Sequence, residues 1–251
     1  MLEFTNRDWA LVHLGEIDLE MQLVAVRSVL RRNRAEDAAA NEEIQALGNQ
    51  IREAQGEDAY LLELAWVDRL NDSVYLDAAN SMSAVGMLAP LTESLFTTLF
   101  AAISKELAGT GRATGGSRAG LEDYDYWNPH VYVGSKGRRD DLALGIMQLA
   151  NDCGLGTHLP ADSASILKAL FSYRNAMFHN GFEWPMPKRR AFEQQMSDER
   201  WPDGWFTAAR SGGDPWIFYM SDAFTGRCLG LIDEVLEGAG VIIRSVRNST
   251  S

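Results

Sequence analysis

One stretch of the chain combines residue types suited to phosphate binding and proton transfer. It is YRNAMFHNGF, residues 173–182, in which Arg174 is followed by four residues and then His179. A guanidinium can bind phosphate oxygens through paired hydrogen bonds, and an imidazole can exchange a proton near neutral pH. These are the two groups that a metal-independent RNA-cleaving site needs.

The pattern of turn and capping residues places this stretch at the end of a helix. Asp162 and Ser163 are typical of a helix start, whereas Asn180 and Gly181 are typical of its end. At about 100° per residue, Arg174 falls within the broad apolar face of this helix. A buried guanidinium needs an acceptor, and we expect Glu93, on the shoulder of an earlier apolar stripe, to be a candidate partner.

The histidine points elsewhere on an ideal helix. His179 lies roughly 140° around the axis from Arg174, so the two side chains do not face one point. Asn175 shares the face of His179 at the i, i+4 spacing and could hydrogen-bond the imidazole to fix its orientation. Either the last helical turn unwinds, or a site forms where two copies of the chain meet.

An arginine, a polar residue, three further residues and a histidine in a helical protein resemble the motif of the HEPN superfamily. Arg174, Asn175 and His179 match that motif position by position. A long preceding helix that carries Glu93 adds to the resemblance, and Tyr173 and Asn180 flank the motif as supporting candidates. Catalytic members of the superfamily are metal-independent endoribonucleases.

The resemblance implies a mechanism, a dimer and a biological setting. His179 would deprotonate a ribose 2′-hydroxyl, Arg174 would stabilise the charge on the phosphoryl oxygens, and Asn175 would hydrogen-bond the phosphate. The products would be a 2′,3′-cyclic phosphate and a 5′-hydroxyl, without metal or cofactor. Two copies would bring two motifs together, and related modules serve in toxin and phage-defence systems, where an antitoxin or regulatory protein is a partner.

Two other interpretations of the motif stay open. In one, the chain is a catalytically inactive HEPN-like module that binds RNA or a protein or forms dimers. In the other, Arg174 is a structural buried cation paired with Glu93, and His179 only favours the negative end of the helix dipole. Neither of these interpretations predicts RNA cleavage.

The elements that must position the motif are mainly helical. Thr5 and Asp8 indicate a capping box, and an apolar stripe then continues to Gly56, so we expect residues 1–56 to form a helical arm that folds back on the chain or mediates dimerisation. Residues 57–251 are expected to form one HEPN-like helical bundle. Its first part, up to about Leu107, fits one or two long helices with a kink or break before Pro90.

The remaining segments are less regular. Residues 109–139 read as a long irregular stretch whose aromatic and basic residues either pack on the bundle or hold single-stranded nucleic acid. Prolines indicate that residues 182–205 are mostly loop with one short helix around Ala191 to Met196, and a β-hairpin is expected near 205–220, turning at Ser211 to Asp214. The last helix is expected to end near Glu237, closed by Gly238 and Gly240.

Composition narrows the class of protein. The formal net charge of −12 argues against a surface that coats duplex nucleic acid, so any RNA contact must be local. Cys153 and Cys228 match no metal-ligand spacing and are expected to be reduced thiols of a cytoplasmic protein. No apolar run approaches the roughly 20 residues of a membrane span, so no membrane association is expected.

Overall fold

The computed structural model describes residues 4–15, 17–108 and 116–250, with side chains up to residue 247. The described chain is mainly helical, with 74% of residues in helices and two small antiparallel hairpins, which confirms the expected fold class at that level. The helices are α1 (Asn6–His13), α2 (Leu19–Glu53), α3 (Glu57–Ala108), α4 (Asp123–Tyr126), α5 (Leu142–Cys153), α6 (Ser163–Asn180), α7 (Met186–Asp198) and α8 (Asp222–Thr250). The strands are β1 (Val131–Gly134), β2 (Gly137–Asp140), β3 (Phe206–Ser211) and β4 (Asp214–Met220).

The described residues divide into two compact units. The first unit comprises the residues up to Leu23, from Leu88 to Ser172 and from Thr225 onward. The second unit comprises residues from Val24 to Met87 and from Tyr173 to Phe224. The arginine–histidine motif belongs to the second unit, and Glu93 belongs to the first.

The first unit has a mainly aliphatic core. Fully buried apolar residues of α3, α5, α6 and α8 form it, namely Leu95, Phe96, Leu99, Ile146, Leu149, Ile166, Leu170, Ile232, Val235 and Leu236. Thr5 caps α1 through a reciprocal capping box with Asp8, as the sequence predicts. Asp141 caps α5, and Gly154 ends it in the left-handed conformation with φ of 88°. These caps satisfy backbone groups that the helices leave open at their ends.

The second unit is held together by an aromatic cluster between α6, α7 and the β3–β4 hairpin. Its members are Tyr173, Trp184, Phe192, Trp201, Phe206 and Phe218, with neighbouring ring centroids 5.1 to 6.0 Å apart. The hairpin turns at Gly212 and Gly213, whose φ angles of 59° and 90° suit a two-residue turn. The predicted hairpin is therefore confirmed, and it anchors the helix that bears the motif.

Three expectations about single elements are wrong, and a fourth is wrong in part. The first amphipathic stripe is interrupted, since α1 ends at His13 and α2 starts at Leu19. α3 continues through Pro90, so of the expected kink or break the break is absent. Of the stretch expected to be irregular, residues 109–115 lie outside the described residues, and residues 116–140 contain α4 and the β1–β2 hairpin. The segment after Gly181 holds the 13-residue helix α7, which is longer than the short helix expected.

The last helix does not end at its glycines. α8 runs to Thr250, and Gly238 and Gly240 lie where other backbone comes close. A Cβ atom built on Gly240 would lie 1.8 Å from the carbonyl oxygen of Asn6, and one on Gly238 would lie 2.7 Å from Cβ of His158. These glycines serve close packing rather than helix termination.

One helix of the described residues has the length and composition of a membrane span. An 18-residue window of α3 has a mean hydropathy of 1.3, which differs from the expectation that no such run exists. Half of that window is buried inside the protein. The core helix of a soluble protein can have the same length and composition. α3 is therefore weak evidence for a membrane span and is consistent with a soluble protein.

Candidate functional site

The motif lies in the last two turns of α6, which stay helical up to Asn180. The amide of Gly181 donates to the carbonyl of Met177 at 2.9 Å, and Gly181 itself has φ of 70°. Asn180 donates through Nδ2 to the carbonyl of Ala176 at 2.7 Å. The predicted helix end is confirmed, but the last turn does not unwind, so His179 keeps its helical direction.

Tyr173 anchors this part of the helix. Its side chain is fully buried, and its hydroxyl donates to the carbonyl of Phe218 at 2.9 Å. Burial raises the pKa of the Tyr173 phenol, which therefore stays protonated and a hydrogen-bond donor. Met177, one turn further, is also fully buried. These two side chains define the face of the last turns that packs inward.

The prediction that Arg174 is buried is wrong. Its side chain is half-buried, and its Nη1 donates to Oδ1 of Asn175 at 2.9 Å. The reason is that the apolar face narrows along α6. Leu167 and Phe171 are buried nearer the start of the helix, but only Tyr173 and Met177 are buried in the last turns, and Arg174 lies about 100° from Tyr173. Arg174 is therefore not a structural buried cation.

Asn175 and His179 share an exposed face, as their spacing predicts. The amide oxygen of Asn175 accepts from Arg174 rather than holding the imidazole. Within the described part of the chain, His179 has no hydrogen-bond or ion-pair partner. An imidazole without a partner is open to a ligand but is not oriented by a neighbour in one copy of the chain.

Phe178 is a site residue that the sequence interpretation missed. Helical spacing places it beside Arg174 on the apolar face of α6, but 57% of its surface is exposed. The guanidinium carbon of Arg174 lies 5.9 Å from the centroid of its ring. The ring approaches α3 at Gly86, where a built Cβ would lie 3.2 Å from Cζ of Phe178. The absence of a side chain at Gly86 lets the ring lie there, beside the arginine.

We call Arg174, Asn175, Phe178 and His179 the motif face. In the last two turns they span roughly 140° of the helix surface, from Arg174 to His179, and each of them is exposed or half-buried. The face combines donors for an anion, an exposed ring on which a base can stack, and a group that can exchange a proton. Such a set can bind a nucleotide phosphate, but one helix cannot direct Arg174 and His179 at the same atom.

Glu93 has its own partner in the first unit. Its Oε1 lies 3.3 Å from Nε2 of His130, and both side chains are partly exposed. In the sequence, His130 belongs to the aromatic and basic stretch of residues 109–139. Among the described residues the fully buried arginine is Arg118 rather than Arg174, and no feature of the sequence distinguishes Arg118 from the other arginines near it.

The part of the chain that the structure describes contains no group of three or more His, Cys, Asp or Glu side chains arranged to hold a metal ion. Cys153 and Cys228 are free thiols, half-buried and buried respectively.

Comparison with known proteins assigns no family to the chain. No family model matches it, and neither a curated protein nor a solved structure matches it.

Proposed function

We propose that this protein is a metal-independent endoribonuclease of the HEPN type that acts as a homodimer. The observation that carries the proposal is the motif face, on which Arg174, Asn175 and His179 are accessible together at the end of a well-anchored helix. Arg174 makes no ion pair with any described residue, so its charge is available to a phosphate. The net charge of −12 requires any RNA contact to be confined to a small part of the surface, and the motif face is such a part.

The chemistry follows from the groups on this face. His179 takes the proton of a ribose 2′-hydroxyl, and the oxygen attacks the adjacent phosphorus. Arg174 stabilises the negative charge that develops on the phosphoryl oxygens, while Asn175 orients the guanidinium and hydrogen-bonds the phosphate. The bond to the 5′-oxygen of the next nucleotide breaks, and that oxygen takes up a proton from water, which the protonated His179 replaces, leaving a 2′,3′-cyclic phosphate and a 5′-hydroxyl.

The dimer completes the site in this proposal. Because Arg174 and His179 diverge on a regular helix, a second copy supplies the missing group at each phosphate. Exposed apolar residues on α3, among them Tyr60, Leu61, Leu64 and Val67, support self-association. The biological role that goes with such an enzyme is that of a toxin or phage-defence ribonuclease, controlled by an antitoxin or regulatory protein and located in the cytoplasm, where free thiols persist.

A second candidate is a catalytically inactive HEPN-like module that binds RNA or a protein or forms dimers. The observation that favours it is the hydrogen bond between Arg174 and Asn175, together with the lack of a group that orients His179. In this case the motif face binds without cleaving.

RNA cleavage in excess EDTA separates the two candidates. Wild type, Arg174→Ala and His179→Ala are incubated with structured and single-stranded RNA, and the ends of the products are identified. The nuclease proposal expects cyclic phosphate ends from wild type and a loss of about 100-fold or more in each variant. Arg31→Ala, which removes an exposed arginine from α2, is the matched control and retains activity. Cleavage by wild type that is no faster than by the two motif variants rules out the nuclease.

A further inference from the structure

A cavity in the first unit lies apart in sequence from the motif. It has a volume of about 530 Å³ and is lined by one face of α3 and by residues 123–130. Thr97, Ser104 and Lys105 contribute from α3, and Tyr124, Trp127 and His130 contribute from the facing segment. The lining is therefore aromatic and polar rather than aliphatic, which is typical of a ligand site with a few oriented hydrogen-bonding groups.

The loop that forms one wall is built around the buried Arg118. Its guanidinium donates to the carbonyls of Tyr126, Asn128, Val131 and Gly145, with 3.1 Å to Asn128 and 3.3 Å to Gly145. Burying a charge is costly unless all of its donors are satisfied. Since these carbonyls stand on both sides of Trp127 and before and after His130, the arginine fixes the backbone that carries both side chains.

The aromatic wall is rigid on one side and open on the other. The ring of Trp127 meets the buried ring of Tyr126 edge to face, with centroids 5.1 Å apart and planes at 68°. Tyr124, two residues before Tyr126, is 82% exposed. A buried neighbour thus holds the indole in place, while the phenol stands free at the mouth of the cavity. Two such rings offer stacking surfaces for a planar ligand.

The polar groups of the cavity are also oriented. Oε1 of Glu93 lies 3.3 Å from Nε2 of His130, so a carboxylate stands beside the imidazole. The amide of His130 donates to Oδ1 of Asn128 at 3.0 Å, fixing the base of the side chain. Lys105 and Asp123 are the charged residues of the lining, so the mouth carries one cation and one anion beside hydroxyl and amide groups.

We infer that this cavity binds a nucleotide, with its base stacked on Trp127 and Tyr124, its base edge or ribose hydrogen-bonded to His130 and Ser104, and its phosphate near Lys105. The ligand is a free nucleotide or an unpaired nucleotide of an RNA strand, since both present the same ring, sugar and phosphate. The site is additional to the motif face and does not require that the protein cleaves RNA.

The test is a binding titration of the whole protein carrying His179→Ala, in EDTA, so that cleavage does not interfere. The probes are the four nucleoside monophosphates and a single-stranded RNA of five nucleotides, and their affinity is measured by calorimetry. Tyr124→Ala and Trp127→Ala are each expected to weaken binding by about tenfold or more, as the loss of one stacking surface does. Phe4→Ala removes an exposed ring that lies outside the cavity lining and is expected to leave binding unchanged.

Each outcome decides a part of the inference. Equal affinity for a monophosphate and the oligonucleotide identifies a free nucleotide as ligand, and at least tenfold tighter binding of the oligonucleotide identifies a strand. Absence of binding by every probe at millimolar concentration overturns the inference, as does binding that Tyr124→Ala and Trp127→Ala leave intact. Failure of the nuclease proposal leaves these results unaffected, because the readout is binding in a chain without His179.

Discussion

Arg118 shows how a single side chain can organise a loop from inside the protein. Burial lowers the pKa of its guanidinium, yet an arginine stays charged in proteins, so the cost of the buried charge is met by hydrogen bonds. Besides the four carbonyls, Oε1 of Gln148 accepts from its Nε at 3.3 Å. The carboxylate of Asp152 accepts from the backbone amide of Arg118 at 3.1 Å and adds a favourable charge.

Replacing Arg118 by methionine is expected to lower the free energy of unfolding by about 3 kcal/mol or more. The change leaves several buried carbonyls without a donor, and each costs about 1 kcal/mol or more. Urea denaturation followed by circular dichroism measures the loss. Arg32→Met, on the exposed surface of α2, is the control and is expected to change stability by less than about 0.5 kcal/mol. Equal effects of the two substitutions would contradict the role given to Arg118.

The raised pKa of Asp77 predicts that the stability of the second unit depends on pH. Burial, and then the charge of Asp37, raise its pKa from 3.8 to about 6. The folded state therefore holds a proton between about pH 4 and pH 6 that the unfolded state has released, so this group's contribution to stability falls as pH rises through that window. Above it, the folded protein carries an unfavourable carboxylate beside Asp37.

Asp77→Asn is expected to raise the free energy of unfolding at pH 7 by about 1 kcal/mol, after allowance for the partial exposure of the side chain. The gain is expected to vanish near pH 4, where the carboxyl is already neutral in the folded state. Urea denaturation at the two pH values measures it, with the exposed Asp68→Asn as control. A gain of the same size at both pH values would show that the charge of Asp77 is not its cause.

At the scale of elements, the close approaches of α8 explain why the sequence places its end too early. Glycine is a common helix stop, but it is also the residue that lets two backbones approach. Gly240 and Gly226 lie in the same helix in different surroundings. A Cβ on Gly240 would meet the backbone of Asn6, whereas a Cβ on Gly226 would meet nothing within 4 Å.

The two glycines therefore predict opposite effects of the same substitution. Gly240→Ala is expected to lower the free energy of unfolding by about 2 kcal/mol, because backbone must shift to make room. Gly226→Ala is expected to raise it by about 0.5–1 kcal/mol through helix propensity alone. Thermal unfolding of both variants measures the difference in sign. A stabilising Gly240→Ala would mean that α8 does not pack as described.

Local rules predicted the elements that local chemistry decides. The cap at Thr5, the end of α6 at Gly181 and the two-glycine hairpin all depend on residues near one another in sequence. Tertiary contacts determine the features that the sequence did not predict. Whether a glycine stops α8, whether α3 continues past Pro90 and which arginine is buried depend on neighbours distant in the chain.

The candidate site was predictable in part for the same reason. The i, i+4 relation of Asn175 and His179 is a local property of a helix and is present in the structure. The exposure of Arg174 and Phe178 depends on where packing against α6 stops, and a helical projection of the whole helix averages over that change. A buried guanidinium was expected at Arg174. The structure instead buries the guanidinium of Arg118, which is surrounded by backbone carbonyls.

At the scale of the whole molecule, the arm formed by α2 and the first half of α3 leaves a second apolar face of α3 exposed. Within the second unit these helices pair antiparallel, with Asn80 donating to Asp37 at 2.5 Å, Arg69 bonded to Glu43, and Gly48 close to Trp66. This pairing covers the face of α3 that carries Trp66. A second face, with Tyr60, Leu61, Leu64 and Val67, is between 47% and 61% exposed. A helix with apolar residues on two faces needs two partners.

The proposed dimer uses this second face, and Leu64→Glu is the variant that tests it. A carboxylate in the centre of the stripe must be desolvated on association, which is expected to weaken the dimer by about tenfold or more. In a single copy Leu64 is 47% exposed, so the melting temperature of the monomer should change little. Sedimentation or light scattering across a concentration series measures the dissociation constant.

Gln45→Glu adds the same charge to the exposed polar surface of α2 and serves as the matched control for net charge. If the site is shared between copies, Leu64→Glu should also reduce RNA cleavage, and activity should return at protein concentrations high enough to restore the dimer. Activity that is independent of concentration in a monomeric Leu64→Glu variant would mean that one copy brings Arg174 and His179 together without a partner. A wild-type protein that stays monomeric at all concentrations would remove the composite site altogether, since a regular α6 keeps the two side chains apart.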